Sequence, residues 1–184
     1  MAAPERLPGI RPRPSLKRWL DMASRRSFPA ATTAVVLLVL AAPLGLPGQP
    51  EMQGALALCG VFFWSLFRPD SMPPPVVFLL GLLDDLLGYA PIGVAVVIFL
   101  IIHGIAMRWR RVVTRQGFLI VWLMFVAVAS GAAGLQWALS CVLTWTLLPP
   151  GPGLFLAALA AGIYPAVATL LTRAHATLAE PEQA

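Results

Sequence analysis

Two adjacent carboxylates are the residues best suited to chemistry in this chain. Asp84 and Asp85 lie in the middle of the apolar segment 81–88, which reads GLLDDLLG. A carboxylate in hydrocarbon costs roughly 2.5–3.5 kcal/mol, so each needs a polar partner, water or protonation. Helical neighbours point about 100° apart, so the two cannot face one spot. Two interpretations stay open. The first is functional: a polar site inside a helix bundle, or a helix break near the outer face. The second is structural: the segment lies near the surface with one Asp hydrated, or Asp85 caps a local break.

Two other polar side chains lie in apolar stretches. His103 either hydrogen-bonds an Asp of the preceding segment or is a packed residue satisfied by a backbone carbonyl. Gln136 follows Gly131 and Gly134, and it could hydrogen-bond to a neighbouring helix. Small residues at this spacing allow helices to approach closely, either within the chain or against an external partner. Together, Asp84, Asp85, His103 and Gln136 are the candidate polar site.

Other reactive groups are sparse. Cys59 and Cys141 both lie in apolar runs, and no pair of cysteines or cluster with histidine has the spacing of a metal site. His175 lies outside the apolar segments, so a histidine-based metal site is not expected. The sequence has no Walker loop, no GxSxG and no HExxH motif. It therefore predicts neither an enzyme nor a bound metal or cofactor.

The composition indicates a membrane protein. Hydrophobic residues make up 59% of the 184 residues and charged residues only 11%, whereas soluble domains are about a quarter charged. A water-soluble fold of this size could not bury so much apolar surface. The length suits a single domain.

Proline and glycine clusters divide the chain into six apolar segments. We expect an all-α, polytopic bundle of about six transmembrane helices over 28–174. A basic Pro/Arg-rich cytoplasmic tail (1–27) would precede it, with an amphipathic surface piece at 15–23, and a short cytoplasmic tail (175–184) would follow. A span needs ~20 residues, so the short second and third segments would be tilted, re-entrant or shielded. The predicted segments are 28–46, 53–67, 75–89, 92–107, 117–148 and 153–171.

The basic residues give the predicted orientation. All thirteen Lys and Arg residues fall in the first 26 residues, at Arg68, in the stretch 108–115, or at Arg173. With six spans and a cytoplasmic N-terminus, each of these regions lies inside, and the outer loops carry no basic residue. This agrees with the positive-inside rule and predicts that both termini lie in the cytoplasm. Nucleic acid is not an expected partner, whereas anionic lipids are.

One continuous stretch resembles a known family. Residues 67–93 read FRPDSMPPPVVFLLGLLDDLLGYAPIG, and this stretch is similar to the core of the rod shape-determining protein MreD family. The shared pattern is a proline-rich inner loop, a Gly-x-x-x-Asp helix and a Pro-Ile/Leu-Gly turn. Gly81, Asp85, Pro91 and Gly93 match it, and Asp84 is an additional acid. The loop residues Arg68, Pro69 and Asp70 would form a stiff turn before the third helix, with a local ion pair.

The resemblance implies a role and partners. MreD-like proteins belong to the elongation machinery of the bacterial inner membrane, beside MreC, MreB, RodA and a class B penicillin-binding protein, and they help direct lateral peptidoglycan synthesis. Their fold is similar to the substrate-binding subunit of energy-coupling factor transporters. The expected function is therefore a membrane scaffold in rod-shape maintenance, and a homo-oligomer is compatible with it. The alternative is a small-solute-binding transporter subunit, with the four polar residues lining its pocket.

Overall fold

The computed structural model describes residues 16–43, 45–88 and 90–179, with side chains described from Arg26 to Arg173 except at positions 44 and 89. These residues form six α-helices and no strand, which confirms the all-α prediction. A short 3-10 turn at Pro69–Ser71 joins the second and third helices. The helices are α1 (Leu16–Ala41), α2 (Gln49–Phe67), α3 (Pro74–Leu87), α4 (Val94–Val113), α5 (Phe118–Thr144) and α6 (Gly151–Ala179).

Helix α2 is the centre of the bundle. It packs against α1, α4 and α6, and every residue from Ala57 to Leu66 is buried. A helix that is apolar all round belongs in a core, because no face of it favours water. The segment predicted here, 53–67, is short for a span, but the helix begins at Gln49 and has 19 residues. Its neighbours also shield it.

Close backbone approaches hold the neighbours of α2 in place. A Cβ added to Gly60 would lie 2.9 Å from the Thr33 hydroxyl on α1, and one added to Gly54 would lie 2.9 Å from Leu156 on α6. The Cys59 thiol contacts the carbonyl of Ala160 on α6 at 3.9 Å. Small residues on α2 therefore let α1 and α6 approach its backbone.

The helix boundaries differ from the predicted ones. Helix α1 begins at Leu16 rather than at residue 28, and Pro29 lies inside it. Residues 16–23 are therefore the first turns of α1 and not a separate amphipathic helix on the membrane surface. The fifth segment ends at Thr144 instead of 148, because Trp145 takes a left-handed conformation with φ 55°. Helix α3 has only 14 residues, or about 21 Å. Residues 1–15 and 180–184 of the predicted tails lie outside the described part.

Among the residues that the structure describes, two helices are long and apolar enough to cross a membrane, judged by length and composition: α5, and α6 as far as Arg173. Both also expose large apolar side chains, such as Leu123 at 53% and Leu170 at 67%. Similar side chains are exposed on α1, α3 and α4, including Val35, Leu79 and Ile101.

Candidate functional site

Asp85 caps the first turn of α4. Its carboxylate accepts hydrogen bonds from three backbone N–H groups, those of Gly93 at 2.8 Å, Ala95 at 2.9 Å and Val96 at 3.3 Å. The first N–H groups of a helix have no partner inside it, and the helix dipole favours a negative charge at this end. A buried carboxylate and the free donors of a buried helix end thus satisfy each other.

Gly81 makes this cap reachable. It lies one turn before Asp85 on the same face of α3, and an added Cβ would lie 2.6 Å from the Val96 Cα. Any side chain at position 81 would force α3 and α4 apart. The turn between the helices is completed by Gly93, whose φ of 101° favours glycine, and by the carbonyl of Pro91, which accepts from the Val94 N–H at 3.2 Å. The residues of the Gly-x-x-x-Asp and Pro-x-Gly patterns therefore form one junction.

Asp84 points to a different partner. Its carboxylate accepts a hydrogen bond at 2.9 Å from the side-chain amide of Gln53 on α2. Gln53 is buried and Asp84 half-buried. The adjacent carboxylates therefore fasten α3 to two different helices, as their directions on the helix require. Gln53 gave no signal in the sequence, since it lies at an expected helix start.

His103 pairs with Ser65 rather than with an aspartate or a backbone carbonyl. The Nδ1 atom of the ring lies 2.9 Å from the Ser65 hydroxyl, and both residues are buried. This bond joins α4 to the central helix α2. Sequence reasoning had not singled out Ser65, because a lone serine in an apolar run is common.

Gln136 lies apart from these residues. It lines a cavity of about 270 Å³ between the N-terminal ends of α2 and α6 and the C-terminal part of α5, together with Glu51 and Ser140. The structure thus places the four candidate polar residues in four separate sets of contacts: a helix cap, two side-chain pairs between helices, and a cavity edge. Asp84 and Asp85 share a helix, but the four do not form one group.

The small-residue stripe on α5 faces outward. Gly131, Gly134 and Ala138 are exposed, and a Cβ added to either glycine would meet nothing within 4 Å. These glycines therefore make no close helix contact within the described part of the chain, and contact with an external partner stays the open alternative. The intervening Ala132 and Ala133 are buried instead, because they lie about 100–200° round the helix from Gly131.

The turn after α2 lies among arginines from other helices. Arg68, Pro69 and Asp70 line a cavity of about 310 Å³ together with Arg26 of α1 and Arg110 of α4. The Nε atom of Arg110 donates to the carbonyl of Leu66 at 3.1 Å, which joins the ends of α2 and α4. Basic residues from three separated parts of the sequence thus meet at one end of the bundle.

Three of the candidate polar groups are taken up by contacts between helices. The Asp85 carboxylate is taken up by the helix cap, and Asp84 and His103 are each paired with a neutral side chain. Within the described residues, no group of three or more His, Cys, Asp or Glu side chains could hold a metal ion. Cys59 and Cys141 are both free thiols. Such pairs fix the register between helices, since an unpaired buried polar group is costly.

Comparison of the chain with family models, curated proteins and solved structures found no match.

Proposed function

We propose that this protein is a membrane scaffold of the bacterial cell-elongation machinery, similar in role to MreD. The observation that carries the proposal is the α3–α4 junction. Gly81, Asp85 and Gly93, on which the resemblance rests, each have a specific part in it: close approach, helix cap and left-handed turn. The resemblance thus involves a coherent structural unit and not isolated common residues.

The membrane placement is supported by the outer surface. Large apolar side chains are exposed on five helices, for example Leu38, Leu79, Ile101, Leu119 and Leu154. A soluble monomer rarely exposes so much contiguous apolar surface, whereas lipid is a suitable solvent for it. The buried polar groups face the interior of the bundle, as ionisable residues in membranes do.

The proposed orientation is multi-pass with both termini in the cytoplasm. The clustering of Arg26, Arg68 and Arg110 at one cavity supports it, because these residues must lie on the same side for the positive-inside rule to hold. A reporter fused after Arg111 should indicate a cytoplasmic location. A fusion that reports the periplasm would contradict the six-span arrangement.

A scaffold needs a helix face that is exposed and available to a partner, and α3 has such a face. Leu79 and Leu86 are 60% and 64% exposed and lie two turns apart on the same side of the helix. We propose that this face packs against the transmembrane segment of an MreC-like partner. RodA, MreB and a class B penicillin-binding protein would then join the same assembly.

The test is co-purification from cells that contain the partner. The double variant Leu79→Ala/Leu86→Ala should insert normally but lose the MreC-like protein and produce rounded cells. The matched control, Leu119→Ala/Leu123→Ala, removes equally exposed leucines from α5 and should keep both properties. If both variants retain the partner equally, α3 is not the binding face. If cells that lack the whole protein keep a normal shape, the proposed role in cell elongation is wrong.

A further inference from the structure

Two cavities adjoin at the end of the bundle that carries the arginines. The arginine pocket is the cavity of about 310 Å³ lined by Arg26, Arg68, Asp70 and Arg110. Beside it lies the apolar groove, a cavity of about 460 Å³ between the ends of α2, α5 and α6, whose walls include Phe63, Phe118, Val121 and Tyr164. Phe67 lines both, so the two cavities adjoin at this residue.

The arginine pocket suits a phosphate group. Its lining has three guanidinium groups and one carboxylate, which leaves an excess of positive charge. The groups come from α1, the turn after α2, and α4, and the bond from Arg110 to the Leu66 carbonyl fixes one of them in place. Guanidinium groups bind phosphate oxygens through paired N–H donors, and they keep their charge at any physiological pH.

One residue that lines the apolar groove, Tyr164, has an unsatisfied polar atom. The hydroxyl of Tyr164 is buried and has no hydrogen-bond partner among the described residues, although the residue lines the groove. Its ring stacks on Phe125 at 4.1 Å and meets Phe62 edge-on at 5.9 Å, so its immediate aromatic neighbours offer no acceptor. A buried polar atom without a partner is uncommon in folded proteins. One explanation is that the hydroxyl donates to an acceptor on a bound molecule. The groove rim adds Arg173 and threonine hydroxyls.

We propose that these cavities bind one anionic phospholipid. Its phosphate lies in the arginine pocket and an acyl chain crosses Phe67 into the groove. The lipid displaces the side chains that cover the Tyr164 hydroxyl in the lipid-free protein, and an ester oxygen then accepts a hydrogen bond from that hydroxyl. An apolar groove beside a cluster of cations matches the two parts of such a molecule, whereas a free phosphate would leave the groove unused. The inference rests on the proposed membrane placement but not on the role in cell elongation.

The first test separates the pocket from general surface charge. The full chain, purified in a zwitterionic detergent, is titrated with phosphatidylglycerol, and bound lipid is counted by native mass spectrometry. Arg26→Gln/Arg110→Gln should weaken binding about 30-fold, since each arginine near anionic lipid contributes on the order of a factor of five. The control Arg108→Gln/Arg111→Gln removes the same charge from exposed positions outside the pocket, and it should change binding less than about threefold.

The second test addresses the groove. Tyr164→Phe should reduce phosphatidylglycerol binding several-fold without lowering the thermal midpoint of the lipid-free protein, because the hydroxyl has no partner to lose. Thr169→Phe, which fills the groove from its rim, should also weaken binding, whereas Ala166→Phe on the exposed outer side of α6 should not. If Arg26→Gln/Arg110→Gln fails to fold, these α6 variants still decide the matter.

Several results would overturn the proposal. Equal losses from the pocket and control arginine pairs would mean a diffuse charge effect. Displacement of the lipid by millimolar inorganic phosphate would indicate a free-phosphate site, and equal binding of phosphatidylcholine would exclude recognition of the headgroup charge. Binding of decaglutamate that needs Arg26 and Arg110, with lipid binding unaffected, would assign the pocket to an acidic protein segment. Normal membrane insertion and cell shape in these variants would leave the scaffold function standing.

Discussion

Replacement of Asp85 by leucine should loosen the start of α4 more than any other single polar change on α3. The carboxylate accepts from three backbone N–H groups, two of them at 2.8 and 2.9 Å and the third at 3.3 Å. Leucine has a similar volume but no acceptor. The variant would therefore leave those donors without a partner in an apolar interior.

The magnitude follows from the number of bonds. A hydrogen bond to a charged group contributes at least about 1.5 kcal/mol, so three such bonds at this lower value give about 4.5 kcal/mol. Within a bilayer the mean is nearer ~0.6 kcal/mol per bond, because the unfolded chain also finds partners, and three bonds then give about 2 kcal/mol. We expect a loss of about 2–5 kcal/mol in the free energy of unfolding for Asp85→Leu. The change Asp85→Asn should cost less, because one oxygen acceptor remains.

The neighbouring carboxylate is the control. Asp84 accepts a single described hydrogen bond, from Gln53 at 2.9 Å, so Asp84→Leu should cost only about 1 kcal/mol. Both variants place the same residue on the same helix, and they differ only in the contacts removed. The assay is reversible unfolding in mixed micelles, combined with hydrogen exchange at the amides of residues 93–96. Equal stabilities, or unchanged exchange at these amides in Asp85→Leu, would refute the capping role.

Three further predictions concern other contacts of the bundle. Gly81→Ala should clearly lower the midpoint of thermal unfolding, because the added Cβ would lie 2.6 Å from the backbone of α4. Gly134→Ala should raise the midpoint slightly, because alanine has the higher helix propensity, and equal midpoints for the two variants would contradict the prediction. Ser65→Ala, which removes the hydroxyl paired with the buried histidine, should cost roughly 1–3 kcal/mol of unfolding free energy, and a neutral result in micelle unfolding would show that the bond contributes nothing. In the folded protein a maleimide should label Cys141 but not the fully buried Cys59, so mass spectrometry that finds equal labelling would place α2 nearer the surface than described.

The helices could be predicted because proline clusters and apolar runs are local properties of the sequence. Their ends were less accessible. Pro29 was expected near a helix start, yet α1 continues through it and the Pro29 carbonyl accepts from the hydroxyls of Thr32 and Thr33. Hydropathy contains no information about whether a helix continues through a proline. The number of membrane crossings stays a prediction, since α5 and α6 alone among the described helices meet the length and composition test.

The candidate site was also only partly predictable from the sequence. A cap at Asp85 was one of the two interpretations of the acid pair, because a carboxylate in an apolar helix demands donors. The sequence could not tell which donors, since Gly93 and Ala95 become close only after the chain turns. The partners Gln53 and Ser65 lie 31 and 38 residues from Asp84 and His103, so only the packing of α2 reveals them. The outward direction of Gly131 and Gly134 likewise depends on which face of α5 meets α6.

The burial of α2 has a consequence for biogenesis. Its contact from Cys59 to Ala160 spans 101 residues, so this helix emerges from the ribosome long before α6 exists to cover it. During that interval its small-residue face is open to chaperones, to the insertion machinery and to proteases. Slow translation between α2 and α6 should therefore increase degradation of the nascent protein. A chain truncated before Gly151 contains α2 but lacks α6, and it should be degraded for the same reason.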